Sequence, residues 1–287
     1  MIEREILRKL LDVDELPTLP DIMNKILYTV ENEKSTASDL TAILECDHAI
    51  SARVLRMANS AFYGLPSEVD SIRRAVVVIG FDSVKLLALA TSVFDVFSRK
   101  KQMALDPKDF WMHSLGTAKT AQILARKCPR IKSPDGCFTA GLLHDIGKYV
   151  LALTLKEKYN DIVKTAQESH RPLKDVEMEK LNTNHSEVGG WIAGKWHFPD
   201  VIIDVIQNLY LIDQYIGPNK YEMAIVALSD NISRAADFGD AGDYVDYTFD
   251  PQLIDLLNLN SNVINNIIEE LDTHREDMDQ YVKILHT

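Results

Sequence analysis

Apolar residues return every third or fourth position from Ile22 to Leu271, and no two stretches alternate apolar with polar residues as paired strands would. That period stacks apolar side chains along one face of a helix. The spacing predicts an all-α fold, a multi-helix bundle of two packed helical lobes. One stretch departs from it: the β-branched triplet Val76 to Val78 has strand propensity. With no neighbouring segment to pair with, it is read as buried helix.

The breaks are proline, glycine and capping residues. Met1 to Leu11 reads as a short amphipathic helix. LPTLP, Leu16 to Pro20, is stiff because each proline fixes φ and restricts the residue before it. Pro20 opens a helix with Ile22, Met23, Ile26, Leu27 and Val30 on one face. Helices are expected from Ser38-Asp39, over Asp47 to Ser60, over Ser71 to Ile79 and over Ser83 to Phe97, with turns at Gly64-Leu65-Pro66 and Gly80. Pro107 starts a long helix to Lys127, and the run from Phe138 reads as one helix through Leu155. Tyr159 to Glu168, Leu173 to Lys180, His185 to Trp196, the stretch from Pro199 to Leu209, and Tyr221 to Ala236 follow. Gly239 to Asp250 is acidic and glycine-bearing, hence a loop, and two helices finish the chain. The expected organisation is one lobe over 1–103, a second over 104–240, and an acidic loop with C-terminal helices over 241–287 packed on the second.

A formal charge of −12 over 287 residues opposes nucleic-acid binding and adsorption to an anionic membrane, both of which need a basic surface. The basic clusters Arg73-Arg74 and Arg99-Lys100-Lys101 are short enough to be solvated helix ends. Cys46, Cys128 and Cys137 form no CxxC, so a thiolate metal site is not expected and the thiols read as reduced in a cytoplasmic protein. The first residues lack the apolar core of a signal peptide. The most apolar region, Ala75 to Phe97, is interrupted by Asp82 and Lys85, so no membrane insertion is expected.

The chemistry concentrates in FTAGLLHDIGK, Phe138 to Lys148. There His144 and Asp145 stand side by side in an otherwise apolar, small-residue run. A buried charge is costly unless paired or metal-bound. Imidazole with carboxylate is also a ligand mix that suits zinc, iron or manganese. His113, Asp230 and His185 are further polar residues on apolar helical faces. Each has a bland reading: a satisfied core histidine, a helix-interior carboxylate, a solvated helix start. Together, two histidines and two aspartates can close three or four positions around one ion.

Trp111-x-His113, then His144-Asp145, then Asp230 resembles the HD superfamily of metal-dependent phosphohydrolases, in which these positions are the metal ligands. The resemblance implies one divalent transition metal, iron, manganese or zinc, on His113, His144, Asp145 and Asp230. The two-metal phosphodiesterase branch adds a histidine, matched by His185, and a His-His pair. Here Gln207-Asn208-Leu209-Tyr210 stands at the pair's place, and the GYP signature is missing too. LPTLP, CDHAISARVLRMANSAFYG, RRAVVVIGFDSVKLLAL, FWMHSLGTA and HSEVGGWIAGKWHFP narrow the resemblance to the HDOD domain, a bacterial HD-related output domain, over roughly residues 14 to 235. It implies an all-helical signalling domain with its HD-like core in the C-terminal lobe. In ANSAFYG, Asn59 and Tyr63 can bond loop backbone, and a structural corner is expected there.

Two functions follow. One is a regulatory module acting through a signalling protein partner, with room for a homo-oligomer and with any metal structural. The other is a mononuclear phosphohydrolase acting on a nucleotide or other phosphate ester. In it Lys148 holds a phosphate, and His185 orients the substrate or donates a proton. Lys148 also reads simply as a cation favoured late in a helix.

Overall fold

The computed structural model describes residues 35–59, 65, 67–81, 105–131, 133–243 and 249–276, with single positions at 25, 26, 29, 84, 88, 278, 279 and 282. Among the described residues every regular element is an α-helix. The expected helix at Met1 to Leu11, the LPTLP segment, residues 60–64 of ANSAFYG and most of Ser83 to Phe97 lie outside the described residues. The helices fall into two compact units, one within Lys100–Asp272 and one within Thr18–Arg99, which also takes Thr273–Thr287. No helix among the described residues is long and apolar enough to cross a membrane. The three cysteines are free thiols.

In the unit within Thr18–Arg99, α1 (Ala37–Glu45), α2 (His48–Ala58) and α3 (Ile72–Ile79) pack pairwise. Thr36 caps α1 reciprocally: its hydroxyl accepts from the Asp39 amide at 3.3 Å, and the Asp39 carboxylate accepts from the Thr36 amide at 2.9 Å. Past α2, the Asn59 side chain acts as a strip of backbone. Its amide donates to the Val69 carbonyl at 2.7 Å and its oxygen accepts from the Val69 amide at 2.6 Å. Tyr63 lies outside the described residues. The valine triplet is helical, as expected, but not buried throughout. Ile72, Ala75 and Val76 face inward at helical spacing, which leaves Val77 79% and Val78 46% exposed.

The unit within Lys100–Asp272 is built on α4 (Pro107–Lys127). Asp106 accepts from the Lys108 and Asp109 amides, and Pro107 takes the first turn, where its missing N–H costs nothing. From Phe110 to Ala125 every residue of α4 is buried, as in a helix covered on all sides. α5 (Pro134–Leu143) packs on α4, and α6 (Ile146–Leu155) follows after two residues. Next come α7 (Glu157–Ser169), α8 (Leu173–Leu181), α9 (His185–Lys195) and α10 (Asp200–Asn208). The helix α11 (Lys220–Ala235) covers α4 and α5; α12 (Pro251–Leu256) and α13 (Ser261–Thr273) follow it.

The single helix expected from Phe138 to Leu155 is two. The chain turns at His144 and Asp145, where Asp145 adopts φ −99° and ψ 11° and its carbonyl accepts from the Lys148 amide at 2.9 Å. On an unbroken helix, adjacent side chains point about 100° apart. The turn lets both polar side chains face one place.

Gly147, in the first turn of α6, lets α9 approach: a Cβ there would fall 1.8 Å from the His185 carbonyl oxygen and 2.7 Å from the Gly189 amide nitrogen. Backbone cannot yield as a side-chain tip can. Gly147→Ala is expected to cost about 3 kcal/mol or more in urea unfolding. A loss below about 1 kcal/mol would contradict this contact.

Candidate metal centre

Three elements deliver the polar cluster. His113 comes from the second turn of α4, His144 and Asp145 from the turn between α5 and α6, and Asp230 from α11. His113, His144, Asp145 and Asp230 are all at most 5% exposed. His113, His144 and Asp230 each offer one donor atom within 4.8 Å of the others. His113 Nε2 lies 2.9 Å from Asp230 Oδ1, and His144 Nε2 lies 3.7 Å from the same oxygen. Asp145 Oδ2 lies 3.2 Å from His144 Nε2 and 4.0 Å from His113 Nε2. Donors bound to one ion at about 2.1 Å stand roughly 3.0–3.5 Å from their neighbours, so these separations suit a shared ion.

Hydrogen bonding sets the orientation of the rings. His144 Nδ1 lies 2.6 Å from the Gly141 carbonyl, which can only accept, so Nδ1 carries a proton and Nε2 is the nitrogen that faces the cluster, with a lone pair for an ion once its own proton is displaced. Fixing the tautomer from behind in this way is common among metal-binding histidines. His144 Nε2, both His113 ring nitrogens and Asp145 Oδ1 are buried with no hydrogen-bond partner among the described residues. The 2.9 Å approach of His113 to Asp230 is thus close but poorly aligned as a hydrogen bond. Buried polar atoms are rarely left so, and an ion would satisfy several at once. The donor set therefore fits a divalent transition metal.

Charge acts on the same groups. Burial pushes the His113 pKa down, which favours the neutral ring that a ligand needs. Burial alone would also lower that of His144, but the Asp145 and Asp230 carboxylates overcome it and raise it to about 10. Burial would raise the Asp145 pKa; His144 and Lys148 instead hold it well below the usual carboxylate range. Asp230 is likewise held low, against burial, chiefly by Arg234.

Lys148, wholly buried, donates to Asp145 Oδ2 at 2.6 Å and also contacts the Asp243 carboxylate. Its neighbour Arg234 lies one turn beyond Asp230 on α11. Arg234 Nε donates to Asp230 Oδ1 at 2.8 Å, while Nη2 reaches Asp230 Oδ2 at 3.1 Å and Asp243 Oδ2 at 2.9 Å. The low Asp243 pKa of about 2, set against burial, comes from Lys148 and Arg234.

His185 opens α9 at the edge of the cluster. Glu177 on α8 accepts from its backbone amide at 2.8 Å and from its Nδ1 at 2.6 Å, and from the Tyr159 hydroxyl at 2.5 Å. With the proton on Nδ1, His185 Nε2 accepts from the Tyr210 hydroxyl at 3.1 Å and lies 3.7 Å from Asp145 Oδ1. Tyr210 is the last residue of the QNLY stretch that stands in place of a His-His pair. A cleft of about 230 Å³ opens beside the cluster, walled by Asp230, Asn231, Tyr210, Lys174 and Leu253.

The structure thus gathers His113, His144, Asp145, Asp230 and Lys148, with His185 alongside. It adds Glu177, Arg234 and Asp243, which the sequence reading passed over. Glu177 was detectable: it stands four residues after Leu173 and four before Leu181, a carboxylate in an apolar stripe. Asp243 gives no such signal within its acidic loop.

The HDOD domain family model matches residues 16–211. An HDOD domain protein from Geobacter sulfurreducens is 25% identical, with a TM-score of 0.79 over 98% of this chain and 96% of its own. A Shewanella amazonensis protein, named as a candidate phosphohydrolase, is 27% identical, with a TM-score of 0.75 over 96% of this chain and 97% of its own. An uncharacterized protein from Treponema pallidum is 24% identical over 195 residues, 68% of this chain and 37% of its own. The chain spans about a third of the length of the curated relatives it matches, which include YuxH of Bacillus subtilis at 34%. The match of the family model over well more than half of the residues, on an all-helical fold that these relatives share, makes this chain a member of the HDOD domain family.

Proposed function

We propose that this protein is a regulatory HDOD domain that binds one divalent transition metal at His113, His144, Asp145 and Asp230 and signals through a protein partner. The observation that carries the metal reading is the pair of buried nitrogens without a hydrogen bond among the described residues, His113 Nε2 and His144 Nε2, gathered beside the Asp145 and Asp230 carboxylates. A single ion matches the donors present. A second would lack ligands where Gln207, Asn208 and Leu209 stand, and Tyr210 is engaged with His185. The regulatory role is supported by family membership and by the state of the cationic residues: Lys148 and Arg234 are already engaged by carboxylates of the chain, Asp145, Asp230 and Asp243.

A second reading, a mononuclear phosphohydrolase, is favoured by the two buried cations beside the donor set and by the likeness to the Shewanella protein. A bound ion would supply Lewis acidity at a phosphoryl oxygen. Lys148 and Arg234 would stabilise charge on the phosphoryl group. His185, with Glu177 holding Nδ1, would move a proton at Nε2.

Elemental analysis of the purified chain beside His144→Ala tests the first reading. About one equivalent of iron, manganese or zinc is expected in the wild type, falling at least tenfold in the variant; equal content, or none after reconstitution, refutes it. Metal-dependent release of phosphate from a nitrophenyl ester, lost in Asp145→Ala, would favour the second.

A further inference from the structure

We propose that Asp243 is an internal stand-in for an anionic ligand. Its carboxylate fills a seat built by Lys148 and Arg234, and a phosphate or phosphate monoester takes that seat when the carboxylate leaves.

The seat is well formed. Lys148 Nζ and Arg234 Nη2 converge on one oxygen, Asp243 Oδ2, from two different helices. Each cation is also held from behind, Lys148 by Asp145 at 2.6 Å and Arg234 by both oxygens of Asp230. A buried ammonium and guanidinium aimed at one acceptor make the donor set that recognises a tetrahedral oxyanion. Removal of the carboxylate would leave each desolvated cation with one carboxylate in place of two, a loss that an anion from solution would relieve.

The stand-in sits on a stretch of chain with a fixed root and a glycine directly before the carboxylate. Phe238 is buried, and Asp240 donates its amide to the Asp109 carbonyl at 3.2 Å. Gly239, at φ +67°, lies against the backbone of Asp109 and His113. These contacts anchor the root to the first turns of α4. Gly242 then adopts φ +82° directly before Asp243. Gly242 donates its amide to Asp240 Oδ1 at 2.6 Å. A glycine reaches conformations closed to other residues, so release of the carboxylate would turn on Gly242 and break that one bond, leaving the Asp240 amide on Asp109. The way in is short as well: Asp230 and Asn231 wall the open cleft, and Arg234 stands one turn further along α11.

The proposal builds on the site reading above, yet its test needs no metal. Inorganic phosphate is titrated calorimetrically into the full chain in the presence of chelator. Wild type, Asp243→Asn, and Asp243→Asn with Lys148→Met are compared. Asp243→Asn keeps the volume of the side chain and removes its charge. It is expected to bind phosphate about tenfold more tightly than wild type, the effect of one lost competing interaction. Adding Lys148→Met should abolish that gain. An affinity equal to wild type in Asp243→Asn overturns the proposal, as does a gain that survives Lys148→Met.

A second measurement avoids substitution. Amide exchange of Gly242 and Asp243 in wild type is expected to rise at high phosphate, while that of Asp240 stays unchanged. Unchanged exchange at 242 and 243 overturns the proposal even if Asp243→Asn fails to fold. These phosphate effects in a chain that takes up no metal on reconstitution would defeat the metal reading alone.

Discussion

Glu177→Ala is expected to lower the stability of this chain by about 3–5 kcal/mol, among the largest effects of any single truncation in it. The carboxylate is fully buried and accepts from three donors: the Tyr159 hydroxyl, the His185 backbone amide and His185 Nδ1. An alanine leaves all three unmet in the core, and each unmet donor costs about 1–3 kcal/mol. Burial and Glu177 together push the Tyr159 pKa well above its usual value, so the hydroxyl stays a donor across the whole working pH range. Glu177→Gln keeps the shape but loses the charge and should fall between. Urea unfolding followed by far-UV circular dichroism reads both. A loss below about 1 kcal/mol in the alanine variant would mean that water replaces the carboxylate, and that Glu177 does not orient His185.

The second large effect is on pH dependence without metal. The carboxylates of Asp145 and Asp230 raise the His144 pKa to about 10 in the folded chain, from the 6.5 of a free imidazole. A raised folded pKa means that protonated His144 stabilises the fold. That stabilisation is complete below pH 6.5 and is lost as the pH rises through about 10. The shift corresponds to about 5 kcal/mol at full extent, and the same ion pair underlies the lowered Asp145 pKa, so the two are not added. Chelated protein should therefore become steadily less stable from pH 6.5 to 10. A metal ion must displace the His144 proton, so its affinity should rise about tenfold per pH unit across the same window, with release of one proton. Calorimetry in buffers of different ionisation enthalpy reads that proton. A flat affinity from pH 6.5 to 9 would show that His144 is already neutral and that its lone pair is not contested.

These two predictions draw on different levels of information. His144 and Asp145 stood out in the sequence because charged side chains are rare in an apolar, small-residue run. Their partners His113 and Asp230 could be named only as candidates, 31 residues before His144 and 85 after Asp145. Their meeting depends on how α4, the α5–α6 turn and α11 pack. Glu177 was visible as a misfit in an apolar stripe but passed unremarked. Asp243 was not visible, because an aspartate in an acidic loop is ordinary until Lys148 and Arg234 are placed against it.

The helices themselves were largely legible. Helical period, proline at first turns and glycine at ends are local features, and they located α3, α4, α10 and α11 to within a few residues. The His144–Asp145 break was not legible, since the apolar period runs through it from Phe138 to Leu155. Nor was the exposure of Val77 and Val78, because composition tells how apolar a helix is but not which neighbour covers it.

The sequence by itself thus determined the all-helical class, most helix starts, and the identity of the histidines and aspartates that could share an ion. Those properties depend on neighbours three or four residues away. Tertiary structure alone decided that the donors converge at 2.9–4.0 Å, that Glu177 holds His185, and that Asp243 closes the seat between Lys148 and Arg234. Each of these is a contact between helices or loops distant in the chain, and side-chain packing in three dimensions, rather than any local period, sets it.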